Sequence, residues 1–149
     1  MKLEEEIHQK KFRNEYHKLA VNIIFTHGWL IEHQNRLLKE YKVTGAQFNI
    51  LRILRGQHPN PASVNLLKER MLDKMSDATR LVDRLISKGF VDRKICPDDR
   101  RRVEVKITDA GLSLLEKIDE HNNEFDNNLI HLSEHDAKTI NDLLDKLRG

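Results

Sequence analysis

One cysteine, three prolines and a single tryptophan in 149 residues remove several classes of protein at the outset. Cys96 alone makes no internal disulfide and supplies too few thiolates for a cysteine-based zinc site, which agrees with a reducing compartment. No apolar run approaches the roughly 20 residues that cross a bilayer. The stretch MKLEEEIHQKK is acidic where a secretion signal is basic and then apolar, so a cytoplasmic location is expected. Neither a glycine-rich phosphate loop nor a Ser/His/Asp or Cys/His set in recognisable context is present, so the expectation is no enzyme, no catalytic residue and no cofactor. Eight histidines raise a metal site, and HLSEH at 131–135 offers i, i+4 spacing. Ser133 reads as a helix cap, however, which leaves His131 outside the helix, and no metal is expected.

What is abundant is charge. Charged residues make up 34% and aromatics 5%, the profile of a helix-rich single domain with a solvated coat. The net +2 conceals an asymmetry, since residues 1–106 sum to +8 and residues 107–149 to −6. A basic body suits a polyanionic partner, while the acidic tail belongs on a surface facing away from it.

Apolar residues at steps of three and four from Tyr16 to Tyr41 predict one long amphipathic helix, with a start before residue 10 allowed and Gly28 a candidate bend. Thr44 with Gln47 fits a capping box for a helix to about Leu54. GQHPNPAS then interrupts. Ser63 can cap a short helix through Met71, and Asp73 or Ser76 a longer one carrying Ala78, Leu81, Val82 and Leu85, ended by Gly89. The period then changes to two. Val91, Arg93 and Ile95 alternate, as do Val103, Val105 and Ile107, with turn residues at 97–99 between them. Thr108 starts another helix bearing Leu112, Leu115, Ile118 and Phe125, and Ser133 with Asp136 caps the last, bearing Ile140, Leu143, Leu144 and Leu147. Helix, helix, strand, turn, strand is the order of a winged helix-turn-helix, within a mainly α (α+β) fold.

In that arrangement the triplet Arg100, Arg101, Arg102 falls at the tip of the wing, where guanidinium groups meet the negative potential of a minor groove and its phosphates. Asp99 or Asp98 beside them repels phosphate and makes sense as a support, accepting from a neighbouring arginine or from turn amides. On the preceding helix the polar residues off the apolar stripe are Ser76, Asp77, Thr79 and Arg80, with Arg84 one turn on. Arg80 suits a guanine edge, Thr79 and Ser76 a thymine methyl or a phosphate, and Arg84 the backbone. Asp77 either accepts from cytosine or favours the helix N-terminus.

The stretch TRLVDRLISKGFVDR at 79–93, together with Asp99, Arg101, Val105, Ile107, Thr108 and Gly111 in the pattern D-x-R-x-x-x-V-x-L-T-x-x-G, resembles the multiple-antibiotic-resistance regulator (MarR) family of bacterial winged-helix repressors, with Ile107 in place of the usual leucine. TGAQFNILRIL at 44–54 resembles the family's second helix, whereas MLDKMS at 71–76 departs from its small or glycine-containing turn. The resemblance implies one domain over 1–149. Residues 1–41 and 108–149 would be dimerisation helices, 44–107 a winged helix-turn-helix lobe, and Arg101 the wing's minor-groove arginine. It further implies a homodimer on double-stranded DNA with a pseudo-palindromic operator, acting as a repressor and released by a small aromatic or phenolic effector. Phe25, His27, Trp29, His33, Tyr41 and Phe48 are the aromatic candidates for lining an effector pocket. Relatives that sense oxidants usually carry the reactive cysteine near the start of the first long helix, where this chain has none, so Cys96 is expected to be a spectator. The alternative is a winged helix that docks proteins and has no useful affinity for DNA.

Overall fold

The computed structural model describes residues 1–149, which divide into two compact units, Met1–Gly45 and Ala46–Gly149. The first holds a short helix α1 (Leu3–Glu6) and the long helix α2 (Glu15–Lys39). α2 begins one residue before Tyr16, with no continuation toward residue 10, and ends two residues short of Tyr41. Asn14 decides the start, its Oδ1 accepting from the His17 amide at 2.9 Å, and a single polar cap of this kind leaves no trace in hydrophobic periodicity. Gly28 lies inside an unbroken helix. Lys18 Nζ meets Glu4 Oε1 at 2.5 Å and sits 5.9 Å from the centre of the Phe12 ring, so α1 and the segment before α2 are tied to α2. The hydrogen bond between the pair holds the Glu4 carboxyl below its ordinary pKa and raises that of Lys18.

The second unit is built on α3 (Gly45–Gln57), which runs three residues beyond Leu54 and buries Phe48, Ile50, Leu51 and Leu54. Then follow β1 (Ala62–Ser63), α4 (Val64–Arg70), α5 (Ala78–Ser87), β2 (Val91–Cys96), β3 (Asp99–Ile107), α6 (Asp109–Asp119), α7 (Asn122–Asn127) and α8 (Glu134–Arg148). The sheet is antiparallel with order β1-β3-β2. β1 was invisible in the sequence, because two residues after a proline-rich break carry no periodicity. It exists only because Ala62 and Ser63 lie opposite Val105 and Glu104 of β3. Leu67, Val82, Leu85, Val91, Val105, Leu115 and Ile118 complete the core, each such side chain contributing on the order of 1.5–3 kcal/mol of burial. Phe125, expected on the same face as Ile118, belongs instead to the separate short helix α7.

Helix ends set the geometry of the lobe. Ser63 Oγ accepts from the Leu66 amide at the start of α4. The cap of α5 is neither Asp73 nor Ser76 but Asp77, whose Oδ1 accepts from the Arg80 amide at 3.1 Å. The helix closes on Gly89 at φ +78°, with the Phe90 amide donating to Leu85 O and the Gly89 amide to Ile86 O, the paired bonds of a Schellman ending. The chain is thereby turned directly into β2.

Thr108 and Gly111, two members of the pattern 99–111, have structural work at this corner. Thr108 Oγ1 donates to Gly89 O at 2.7 Å and accepts from the Gly111 amide at 3.1 Å, capping α6 and binding it to the end of α5. A Cβ on Gly111 would run into the Phe90 carbonyl oxygen and come to 2.7 Å from Ile107 Cγ1. Gly111→Ala is therefore expected to destabilise by about 1–3 kcal/mol through overpacking, read as a lowered thermal midpoint with helix content retained in the folded state.

Candidate nucleic-acid interface

Burial of Ala78, Val82 and Leu85 fixes the orientation of α5, and Thr79, Arg80, Asp83 and Arg84 are left exposed. Of the residues the sequence nominated on this helix, Thr79, Arg80 and Arg84 are side chains presented to solvent. Ser76 and Asp77 stand just before the helix and are engaged locally, Ser76 Oγ donating to Asp73 Oδ2 at 2.6 Å and Asp77 capping. Asp83 binds Arg93 Nη1 at 2.8 Å, which ties α5 to β2 and so couples the helix to the hairpin. Both residues lie within the stretch 79–93, but nothing in their spacing marks them as partners, since ten residues and a chain reversal separate them.

In the hairpin, Val91, Arg93 and Ile95 face Ile107, Val105 and Val103 across the ladder, and a register shift after Ile95 brings Cys96 opposite Asp99. The turn is Pro97–Asp98. Arg100, Arg101 and Arg102 are accordingly not at the tip but at the start of the outgoing strand β3, all exposed. Asp99 Oδ1 accepts from the Arg101 amide at 2.9 Å, which fixes the backbone there while leaving the arginine side chain free of the bond.

The arginines of α5 and the hairpin other than Arg93 differ from Arg55 of α3 in their partners, and Arg52 and Arg70 are exposed without a salt bridge on α3 and α4. Arg55 is paired with Asp119 at 2.5 Å and Arg93 with Asp83, both within the fold. Arg80, Arg84, Arg100, Arg101 and Arg102 are exposed and form no salt bridge. Cationic groups without a carboxylate are the ones that can neutralise an external phosphate and release its counterions. Between the helices and the sheet lies a cleft of about 420 Å³ whose lining includes Ser63, Lys68, Thr79, Arg93, Arg101 and Arg102.

Cys96 is half-buried, and burial, followed by a hydrogen bond with Glu104, raises its thiol pKa, which lowers its share of thiolate. No cluster of three or more His, Cys, Asp or Glu side chains comes together. No helix is long and apolar enough to cross a membrane.

The aromatic candidates do not form one set. Phe25, Trp29 and His33 recur every four residues along α2, with the Trp29 and His33 rings 4.3 Å apart. His33 Nδ1 donates to Trp29 O at 2.8 Å, which leaves Nε2 to accept from Arg36 at 3.1 Å. His27 is exposed and lies about 200° round the helix from Phe25. Tyr41 is half-buried just after α2, and Phe48 is buried in α3 with Arg52 5.7 Å from its ring centre.

A family model described as MarR family matches residues 43–103, the segment that carries α3, α4, α5 and the hairpin. The match supports a MarR-family winged-helix regulator. Its similarity to the HTH-type transcriptional repressor IacR of Pseudomonas putida is 28% identity over 120 residues, 80% of this chain and 71% of that protein. The multiple antibiotic resistance protein MarR of Escherichia coli is 37% identical over 90 residues, 58% of this chain and 61% of that protein. A crystal structure of a mutant MarR from E. coli in complex with operator DNA has a TM-score of 0.81 at 28% identity, covering 93% of this chain and 99% of that one. The organohalide-sensing regulator RdhR-CbdbA1625, crystallised with 2,4-dichlorophenol, shares the fold with a TM-score of 0.83 at 19% identity, covering 94% of this chain and 85% of that one. Together these likenesses support a winged-helix, DNA-binding transcriptional regulator of the MarR type.

Proposed function

We propose that this chain acts in the cytoplasm as a homodimeric repressor that grips a pseudo-palindromic operator and lets go of it when a small aromatic or phenolic compound binds. The observation that carries the reading is the set of five exposed arginines on α5 and β3 that form no salt bridge, whereas Arg55 and Arg93 are paired within the fold. In the proposed complex Thr79 and Arg80 read base edges in the major groove, Arg84, Arg100 and Arg102 hold phosphates, and Arg101 enters the minor groove. Asp99 shapes the wing. Ser76 and Asp77 act by positioning α5, a role supported by their bonds within the turn. No catalytic role is assigned to any residue.

Dimerisation through residues 1–41 and 108–149 is supported by α8, none of whose side chains is buried although Ile140, Leu143 and Leu147 follow one face. Two lobes related by a two-fold axis would set their recognition helices in successive major grooves about 34 Å apart. The net −6 of residues 107–149 would then sit on the dimer base, away from phosphate.

Selection from a random duplex pool should enrich an inverted repeat with half-sites one helical turn apart. Affinity for the selected duplex should fall steeply and linearly on a plot of log affinity against log salt, each phosphate contact adding about 0.9 to the slope. A flat salt response, or no enrichment, would overturn the reading in favour of a protein-docking lobe. The effector part rests on the Phe25, Trp29 and His33 row. Trp29 is the chain's sole tryptophan, so its fluorescence reports occupancy directly. Benzoate-type acids and 2,4-dichlorophenol should quench it and release the operator over the same concentration range. Release without quenching would place the effector elsewhere.

A further inference from the structure

Between α4 and α5 the chain carries two apolar side chains in the open, Leu72 at 86% and Met75 at 93% exposure. Of the other large exposed apolar residues in the chain, all but Ile95 of the hairpin lie before residue 32 or after residue 128, in the segments assigned to dimerisation. A partner subunit covering those segments therefore gives no account of Leu72 and Met75. Their positions do. Met75 stands three residues before the first residue of α5, at the end of the helix that a winged helix presents to base edges.

The turn that holds them is braced. The Leu72 amide donates to Asn49 Oδ1 at 2.9 Å, anchoring the turn to α3. Asp73 accepts from the Met75 amide at 2.9 Å through Oδ1 and from Ser76 Oγ at 2.6 Å through Oδ2. Lys74 Nζ donates to Lys68 O at 3.3 Å at the end of α4. An apolar side chain fully in water on a floppy loop would be an ordinary surface residue. One carried on a turn braced by these hydrogen bonds at the mouth of a recognition helix is preorganised, and its ordering cost on binding is reduced to its own rotamers.

The major groove offers one apolar feature, the C5 methyl of thymine. We infer that Met75 is a specificity-determining residue that reads a thymine methyl in each half-site, with Leu72 at its flank excluding water from that contact. This deepens the proposed operator-binding function and rests on it. The unbranched thioether side chain adapts to a methyl group without demanding a hydrogen bond, so the preference it confers is for thymine over cytosine or uracil at one position.

The test uses the intact chain and the duplex enriched from the random pool. Each thymine is replaced in turn by deoxyuridine, which deletes only the methyl group, and affinity is measured for the parent, Met75→Ala and Leu72→Ala. At one position in each half-site, deoxyuridine should weaken the parent about four-fold, the effect of leaving one methyl group unburied. The same substitution should leave Met75→Ala unaffected, the protein and DNA changes being non-additive. Thermal unfolding of Met75→Ala should match the parent, because the side chain is 93% exposed. Equal deoxyuridine losses in parent and Met75→Ala, or a parent insensitive at every thymine, would overturn the assignment while leaving operator binding intact. Loss of coupling in Leu72→Ala alone would transfer the role to Leu72 and refute it for Met75. A chain that enriches no duplex at all fails at the earlier step, the operator-binding reading itself.

Discussion

Leu143→Glu is expected to turn the protein into a 17.5 kDa monomer and to weaken operator binding by a factor on the order of 10²–10⁴. Ile140, Leu143 and Leu147 occupy i, i+3 and i+7 of α8, the spacing of one helical face, and are 41%, 59% and 57% exposed in the single chain. A 15-residue helix has little stability on its own in water, and the capping box of Ser133 with Asp136 supplies its start without supplying a reason for it to stay folded. In the proposed dimer, a second subunit covering that face would supply the reason. A glutamate at its centre must either be desolvated without a partner or keep the subunits apart. Separated subunits lose the advantage of one bound half-site holding the other lobe beside its own. Sedimentation equilibrium reads the mass, and anisotropy on full and half operators reads the affinity. A variant that stays dimeric and binds the full operator like the parent would remove α8 from the interface.

Arg101→Ala should cost about 1–3 kcal/mol of operator affinity per wing and lower the salt slope by about one per wing, with the fold unchanged. The argument turns on which atoms of Arg101 do what. Its backbone amide, not its guanidinium, is held by Asp99, so alanine keeps the bond that shapes the wing and deletes only the group that reaches out. If the side chain sits in a minor groove, the loss should be larger on duplexes whose flanks carry A-tracts, where the groove is narrow and its potential most negative. Arg101→Lys should recover only part of the loss, since a compact ammonium is more strongly hydrated than a guanidinium. Binding equal to the parent for both variants would refute the wing assignment. Asp99→Ala gives a complementary measurement, because it should impair binding through the wing's backbone while leaving all three arginines in place.

Much of the lobe was written locally. The change of period from 3.6 to 2 after Gly89, the cap residues Ser63, Thr108 and Ser133, and the alternation of Val103, Val105 and Ile107 are properties of adjacent residues, and neighbouring residues are what a sequence displays. For the same reason the helix order, the hairpin and the exposed arginines of α5 and β3 were legible before any coordinates. The stretch 79–93 and the pattern over 99–111 together carried the family resemblance, and Thr108 and Gly111 of that pattern prove to be required by the corner between α5, β3 and α6.

Tertiary structure decided what depends on residues far apart in the chain. β1 exists only by pairing with β3, some forty residues away, and Asp83 finds Arg93 only because the Gly89 ending folds β2 back beside α5. Asp77 won the cap of α5 over Asp73 and Ser76 because those two bind each other in the preceding turn, a competition that residue type alone leaves undecided. The arginines moved from the tip to the outgoing strand because the register shift after Ile95 tightened the turn to Pro97–Asp98. Exposure, too, is a property of the folded chain. The sequence determined that this is a winged helix with arginines to spare; only packing, by burying some apolar side chains and leaving Met75 and the α8 face in water, decided which surfaces remain to be covered.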